Sequence, residues 1–507
     1  MNLKYFYSFF FGSTLVLCFP PFNFWFFLFP SLTFLFIKSY YAESKKEAFF
    51  VGWFFGLSFF IFGLYWVFNS FLVREGIFIY IIPICLLLFS SFLAFFIGLI
   101  TFLNCRFRST NLILSIVFFS IFWTFSEILR GHIFTGLPWN LLAHTLSNYN
   151  ILIQICSVIG VYGLTFFIVY SVVSISIFVF KFKKKKHLFL LFSFIFIFYS
   201  IFSYGSNRLK NSNLEIFNNE LIRVVQPNIK QKDKLEFSKI EENYKKLINL
   251  SFESKFDSSK NTIVFWPETA LLNVEDIYKY DIFEKLKTNL SEDEYLITGA
   301  FKKEKNNFYN SVAVIDKNLS TNFLYDKIHL VPFGEYIPFS GFFKSLGFNF
   351  SGLKKGSFNQ KNIEYKDFPS FKALICYEII FPGKFTKKNK PTILVNFTND
   401  AWFGSTIGPH QHFVNSIFRA IEEGRHLIRI ANTGISASID PFGRILKEIP
   451  LNSLGYFDTE IFIVKKDDKI MNTIYSQHKN NLFFTLLIIL FFLLCILKYV
   501  IDRKLTN

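Results

Sequence analysis

The sequence predicts an α-helical membrane bundle of about eight spans that carries one polar α/β domain. Three observations predict it. Hydrophobic residues make up 52% of the 507 positions and mean hydropathy is +0.35, which is too apolar for an ordinary soluble protein. Apolar runs of spanning length cluster before residue 206 and recur once after residue 480. Between them, short apolar runs alternate with helical patterns, as in a layered α/β domain.

In chain order, Tyr5 to Ile37 is almost wholly apolar but broken at Pro20-Pro21, where a helix does not continue easily; this predicts a hairpin of two short spans. Further apolar segments run at 48–68, 77–103, 111–129, 151–181, 188–204 and 482–501. Each suits a hydrocarbon core that needs about 20 helical residues. Basic residues fall in alternate connections: Lys38 with Lys45 and Lys46, Arg106 and Arg108, Lys181 with Lys183 to Lys186, then Lys498, Arg503 and Lys504. The positive-inside rule places these in the cytoplasm, which requires an even number of spans, puts both termini inside and puts 206–480 outside. Met1 to Pro30 offers no polar, small-residue cleavage site, so the first span is expected to be retained. The expected domains are therefore 1–205 (seven spans), 206–480 (outer polar domain) and 481–507 (last span and tail).

The formal charge of +17 has the same topological explanation, so nucleic acid is not an expected partner. With 75 Phe in the chain, no single Phe is a functional signal. Of six cysteines only Cys376 lies in the polar region, which therefore holds no internal disulfide, and no Cys-x-x-Cys pair suggests zinc. His410 and His412 come nearest to a metal cluster, but without an evident third ligand they read as site lining or surface.

One outer loop, Glu127 to Asn140, combines Glu127, Arg130, His132 and Trp139 at a membrane edge. It reads either as a helix anchor or as a substrate seat. In the polar region, residues 221–226, 262–266, 294–298, 311–315, 373–375 and 392–396 read as strands, and Lys239 to Ser254 and Gln411 to Leu427 as helices. The apolar, Gly-interrupted segment Pro338 to Gly352 reads as a loop that dips into the bilayer or caps an acyl chain, with core packing as the alternative.

Three segments end an apolar run on a group suited to acyl chemistry. Thr262 to Trp266 leads into Pro267 and Glu268; Phe323 to Asp326 leads into Lys327 and on to Glu335; Ala373 to Ile375 leads into Cys376. A thiol needs a base or a neighbouring cation to become a good nucleophile. A glutamate can take its proton, and an ammonium stabilises both the thiolate and a tetrahedral oxyanion.

These segments resemble the nitrilase superfamily, whose members use a Glu-Lys-Cys triad. With the spans added, nearly the whole chain resembles its membrane-bound branch, the apolipoprotein N-acyltransferases. The matching stretches include Gly136 to Trp139, Val225 to Ile229 with Gln231, Trp266 to Glu268, Lys327 to Tyr336, Cys376 to Glu378, Asn396 to Gly404, Gln411-His412, Arg419 to Glu422 and Asn432 to Gly434. The chain departs from the family at Lys234-Leu235, where Lys-Trp is usual.

The resemblance implies an αββα sandwich with Glu268 as general base, Lys327 as oxyanion stabiliser and Cys376 as nucleophile. Glu335, Tyr377, Glu378 and Trp139 are implied as supporting or substrate-binding residues. It also implies a bacterial inner-membrane enzyme, monomeric and with its catalytic domain on the periplasmic side. That enzyme moves an acyl chain from a phospholipid to the α-amine of a diacylglyceryl-cysteine apolipoprotein through a thioester. No metal, nucleotide or other cofactor is expected. Two other readings stay open: a membrane-anchored amidase acting on small amides, which would release ammonia, and a transport or assembly scaffold, which would survive loss of the Cys376 thiol.

Overall fold

In the computed structural model, residues 3–74, 78–180, 188–217, 220–254, 256, 260–338, 341, 352–384, 390–466 and 469–506 are described. Most of the Pro338–Gly352 segment, and the lysines of 181–186, lie outside them. The chain divides into two compact units, one of residues 1–212 with 473–507 and one of residues 213–472.

The first unit is helical. Its elements are α1 (Leu3–Val16), α2 (Leu28–Tyr40), α3 (Lys45–Leu64), α4 (Phe78–Phe107), α5 (Leu112–His132), α6 (Cys156–Phe180), α7 (Leu188–Lys210) and the C-terminal helix Asn480–Thr506. Among the described residues, six helices are long and apolar enough to cross a membrane, the first of them Lys45–Val73. The two helices of the N-terminal hairpin are shorter, at 14 and 13 residues, and are parted by the turn around Pro20-Pro21. The apolar run at 151–181 is not one uninterrupted helix, because Gly160 takes φ 69°, ψ 178°. The ring of Tyr475 fills the space there, so that a Cβ on Gly160 would stand 2.4 Å from Tyr475 Cε2.

Glu127 and Arg130 are buried within this unit rather than anchoring an edge. Glu127 accepts from Trp123 Nε1 (3.0 Å), the Leu142 amide (2.9 Å) and Thr165 Oγ1 (2.9 Å). Arg130 donates to the carbonyls of Leu137 and Trp139, both at 2.7 Å. Trp139 is itself enclosed, with its ring 4.8 Å from that of Trp66. A polar group in an apolar bundle costs free energy unless it is hydrogen-bonded, and here Arg130 satisfies carbonyls of the Gly136-Leu-Pro-Trp139 turn while Glu127 takes the amide of Leu142 beyond it.

The second unit holds two six-stranded sheets. The first is built from β1 (Glu220–Gln226), β2 (Asn261–Phe265), β3 (Tyr295–Glu304), β4 (Asn307–Asp316) and β5 (Thr321–Asp326). The second follows in the chain with β6 (Ile363–Tyr365), β7 (Phe368–Ile375), β8 (Ile393–Thr398), β9 (His426–Ala431), β10 (Ser436–Ile439) and β11 (Ile445–Ile449), and β12 (Gly455–Thr459) returns to the edge of the first. The spatial orders are β12-β1-β2-β3-β4-β5 and β11-β10-β9-β8-β7-β6. Pairing is parallel in the middle of each, at β1-β2-β3 and β7-β8-β9, and antiparallel outside.

Alternation along the strands decides the layers. Ile222, Val224, Ile263 and Phe265 face Phe371, Ala373, Ile375, Val395 and Phe397 in one dry layer between the sheets. Val225, Val264 and Trp266 face the other way, onto Tyr244, Leu247 and Ile248 of α8 (Ile240–Ser251). Helix α9 (Gly408–Glu423) packs on β9 and β10, completing an αββα order.

Strand and helix ends differ from the sequence expectation in two ways. Helix α9 ends at Glu423, not Leu427, because Gly424 adopts a left-handed φ of 63° and the chain turns straight into β9. Strands β6 and β9 to β12 were not expected as strands; β9 in particular continues the apolar pattern of the helix before it.

Candidate active site

The candidate residues stand where strands end. Parallel strands leave their carboxyl ends on one edge of a sheet, and the loops there can converge. Cys376 directly follows β7 and takes φ 50°, a left-handed conformation that is uncommon outside glycine. Glu268 lies three residues past β2, and Lys327 directly follows β5.

Lys327 Nζ is enclosed between two carboxylates, 2.9 Å from Glu335 Oε1 and 3.4 Å from Glu268 Oε1. Asn310 Nδ2 bridges the same pair, donating to Glu268 Oε1 at 2.8 Å and to Glu335 Oε1 at 3.1 Å. The other oxygen of Glu335 accepts the Val331 amide at 2.7 Å, which closes the loop on which it sits. Burial alone would lower the Lys327 pKa, but the charges of Glu335 and Glu268 outweigh it and hold the ammonium above its ordinary value.

The Cys376 thiol lies in the electrostatic reach of both Glu268 and Lys327. Burial, and after it Glu268, push its pKa above the ordinary value, while Lys327 pulls the other way. The resting sulfur is therefore a thiol, and its proton has to leave as the sulfur attacks.

Glu378, two residues on, is buried and saturated. Its Oε1 accepts from the Ile328 and His329 amides at 2.8 and 3.0 Å and its Oε2 from the Ile375 amide at 2.8 Å, while Tyr325 Oη stands 3.0 Å from each. It ties the loop that carries Lys327 to the turn that carries Cys376. Tyr377 is half-buried and packs edge-on against Phe381, with ring centroids 5.1 Å apart. Trp139 belongs to the helical unit.

Two features escaped the sequence reading. Lys234 is buried, and its Nζ donates to the Glu268 carbonyl at 3.0 Å and to Thr269 Oγ1 at 2.7 Å. Burial brings its pKa down to about 8. The short helix on which it rides, Gln231–Leu235, is fastened by Gln231, which accepts from Asn399 Nδ2 at 2.8 Å. A lysine in a polar stretch reads as solvated, so only the repeated family wording around Gln231 hinted at this arm.

The second feature is the pairing of Asp400, which the sequence did not single out, with His412, which it offered as site lining or surface. With Cys376 they place a carboxylate, an imidazole and a thiol within 4.8 Å of one another, a set of metal-ligand types. Both Asp400 oxygens are already engaged, one with Thr398 Oγ1 and His412 Nδ1, the other with Arg429 Nη2. The guanidinium supplies the positive charge that a metal ion would otherwise bring. His410 is only half-buried.

Family comparisons divide the chain in the same way. A sequence model of the apolipoprotein N-acyltransferase N-terminal domain matches residues 11–174, and one of carbon-nitrogen hydrolases matches residues 221–465. The chain is 33% identical over 475 residues to an apolipoprotein N-acyltransferase of Rhodopseudomonas palustris, covering 88% of this chain and 87% of the relative. It is 37% identical over 495 residues to one from Rickettsia bellii, covering 95% of each chain. A third, from Rickettsia typhi, is 36% identical over 465 residues, covering 89% of this chain and 90% of the relative.

Proposed function

Because the chain belongs to the apolipoprotein N-acyltransferase family, we propose that it carries a fatty acyl chain from a membrane phospholipid to the α-amine of a diacylglyceryl-cysteine lipoprotein, by way of a thioester on Cys376. The observation that carries the reading is the buried ammonium of Lys327, held between Glu268 and Glu335 within electrostatic reach of the Cys376 sulfur. An acid–base group, a fixed cation and a nucleophile are what acyl transfer needs.

The proposed route has two halves. Glu268 takes the thiol proton as Cys376 Sγ attacks the ester carbonyl, and Lys327 stabilises the oxyanion. The C–O bond then breaks, Glu268 returns the proton to the departing alkoxide, and lysophospholipid leaves a thioester behind. In the second half the free amine attacks that thioester and gives a proton to Glu268. The C–S bond breaks, and the proton returns to the sulfur. The sum exchanges an ester for an amide, and each half uses the same three side chains. The several apolar helices make this a membrane protein. The proposed orientation places the catalytic unit in the periplasm and both termini in the cytoplasm.

Full-length protein in vesicles, supplied with acyl-labelled phospholipid and a diacylglyceryl-cysteine peptide, tests the reading. Label on the peptide amine, lost with Cys376→Ala, is expected. Ammonia released from small amides without transfer to the peptide would instead favour the amidase, and transfer that survives Cys376→Ala would exclude the thioester.

A further inference from the structure

Beneath Cys376 lies a polar cluster that the transfer route does not use. Thr398, Asp400, His412 and Arg429 come from β8, the turn after it, α9 and β9, and each is at most 1% exposed. Asp400 Oδ1 accepts from Thr398 Oγ1 at 2.9 Å and lies 2.8 Å from His412 Nδ1; Asp400 Oδ2 accepts from Arg429 Nη2 at 2.7 Å. The far nitrogen of the ring, Nε2, lies 3.2 Å from the backbone carbonyl oxygen of Cys376.

We propose that His412 is a positioning residue: through Nε2 it holds the Cys376 carbonyl, and so keeps the nucleophile in the left-handed turn that puts its sulfur within reach of Glu268 and Lys327. The proposal rests on the reading of Cys376 as the nucleophile. A non-glycine residue keeps a positive φ only where its surroundings impose it, and the carbonyl is the part of that turn which a neighbour can grip. Nδ1 lies between Asp400 Oδ1, which only accepts, at 2.8 Å and Arg429 Nη2, which only donates, at 3.1 Å, whereas Nε2 faces the accepting carbonyl of Cys376, so a ring protonated at Nε2 donates to that carbonyl while Nδ1 accepts from the guanidinium. Burial is the largest influence on the ring and, against the pull of Asp400 and the Cys376 carbonyl, lowers its pKa below the ordinary value, which favours the neutral form. Arg429 also donates to Asp400 at 2.7 Å, and so fixes the carboxylate beside the ring.

The test compares two substitutions in the full-length enzyme. In His412→Gln the amide nitrogen sits where Nε2 was and can still donate to the Cys376 carbonyl. In His412→Asn the shorter side chain reaches Asp400 alone. The rate of Cys376 alkylation by iodoacetamide, read by mass spectrometry across a pH series, needs no acyl donor. It therefore reports on positioning whether or not acyl transfer is the activity. His412→Asn is expected to slow alkylation about ten-fold or more and His412→Gln to stay within about three-fold of wild type, at equal thermal midpoints. Equal rates in the two variants, or a loss that follows the thermal midpoint, overturn the proposal. Should His412→Asn not fold, Asp400→Asn leaves the ring in place but removes the charge that orients it. Slower alkylation at an unchanged midpoint then supports the proposal, and an unchanged rate overturns it.

Discussion

Cys376 and Lys234 show how much of the site's electrostatics comes from burial rather than from residue type. A thiol pushed upward and a lysine brought down to about 8 occupy the same enclosed region. For Lys234 the folded pKa lies below the ordinary 10.5, so the unfolded chain binds that proton more tightly. Below pH 8 the group opposes folding by its full amount, on the order of 3 kcal/mol, and the penalty fades as pH rises from about 8 to 10.5. The thermal midpoint of wild type minus that of Lys234→Met should accordingly rise across that window. A difference that stays flat would contradict the burial reading of Lys234.

The motif residues are only partly intelligible from their positions in the chain. Glu268, Lys327 and Cys376 each follow an apolar run and were legible as strand-end chemistry. Glu378 stands beside the nucleophile, yet its two oxygens are filled by amides 49 and 50 residues away and by one from its own turn, so it acts as a tie rather than as a base. No local spacing announces such a partner. The same holds for His412, whose contacts are Cys376, in the turn after β7, and Arg429, on β9.

At the level of elements, the legible parts are those whose period is unambiguous. The long apolar helices and the central strands β2, β7 and β8 stood out because they are buried on both faces and read as continuous apolar runs. The outer strands were less visible. In β11 the burial alternates weakly, with Lys447 and Glu448 toward solvent, and in β9 the polar His426 and Arg429 are buried by specific hydrogen bonds rather than by composition.

Gly160 is the counterpart in the helical unit, since an apolar run gives no warning of a break that serves the packing of Tyr475. Its φ and ψ belong to a region that is nearly restricted to glycine, so Gly160→Ala should cost on the order of 1–3 kcal/mol in strain. The expected result is a lower thermal midpoint of the detergent-solubilised protein. Adding Tyr475→Ala relieves the contact but not the strain, so the double variant should not regain the wild-type midpoint. An unchanged midpoint in Gly160→Ala would show that the backbone there is not held as described.

On the scale of the whole molecule, a carbon-nitrogen hydrolase unit is fused to a bundle with, among the described residues, six helices long and apolar enough to span a bilayer. One helix would anchor a hydrolase, so a bundle of this size suits an enzyme whose substrates both reside in lipid. Hydrolysis and transfer share the first half-reaction and part at the second. A thioester that is shielded from water until an amine arrives therefore marks the transferase.

Intact-mass analysis of the full-length protein after incubation with phospholipid vesicles, without acceptor, tests that claim most directly. The account predicts a fatty-acyl mass on the peptide containing Cys376, removed by hydroxylamine and absent from Cys376→Ala. Wild-type protein that never acquires the mass, or a Cys376→Ala protein that still does, would contradict it.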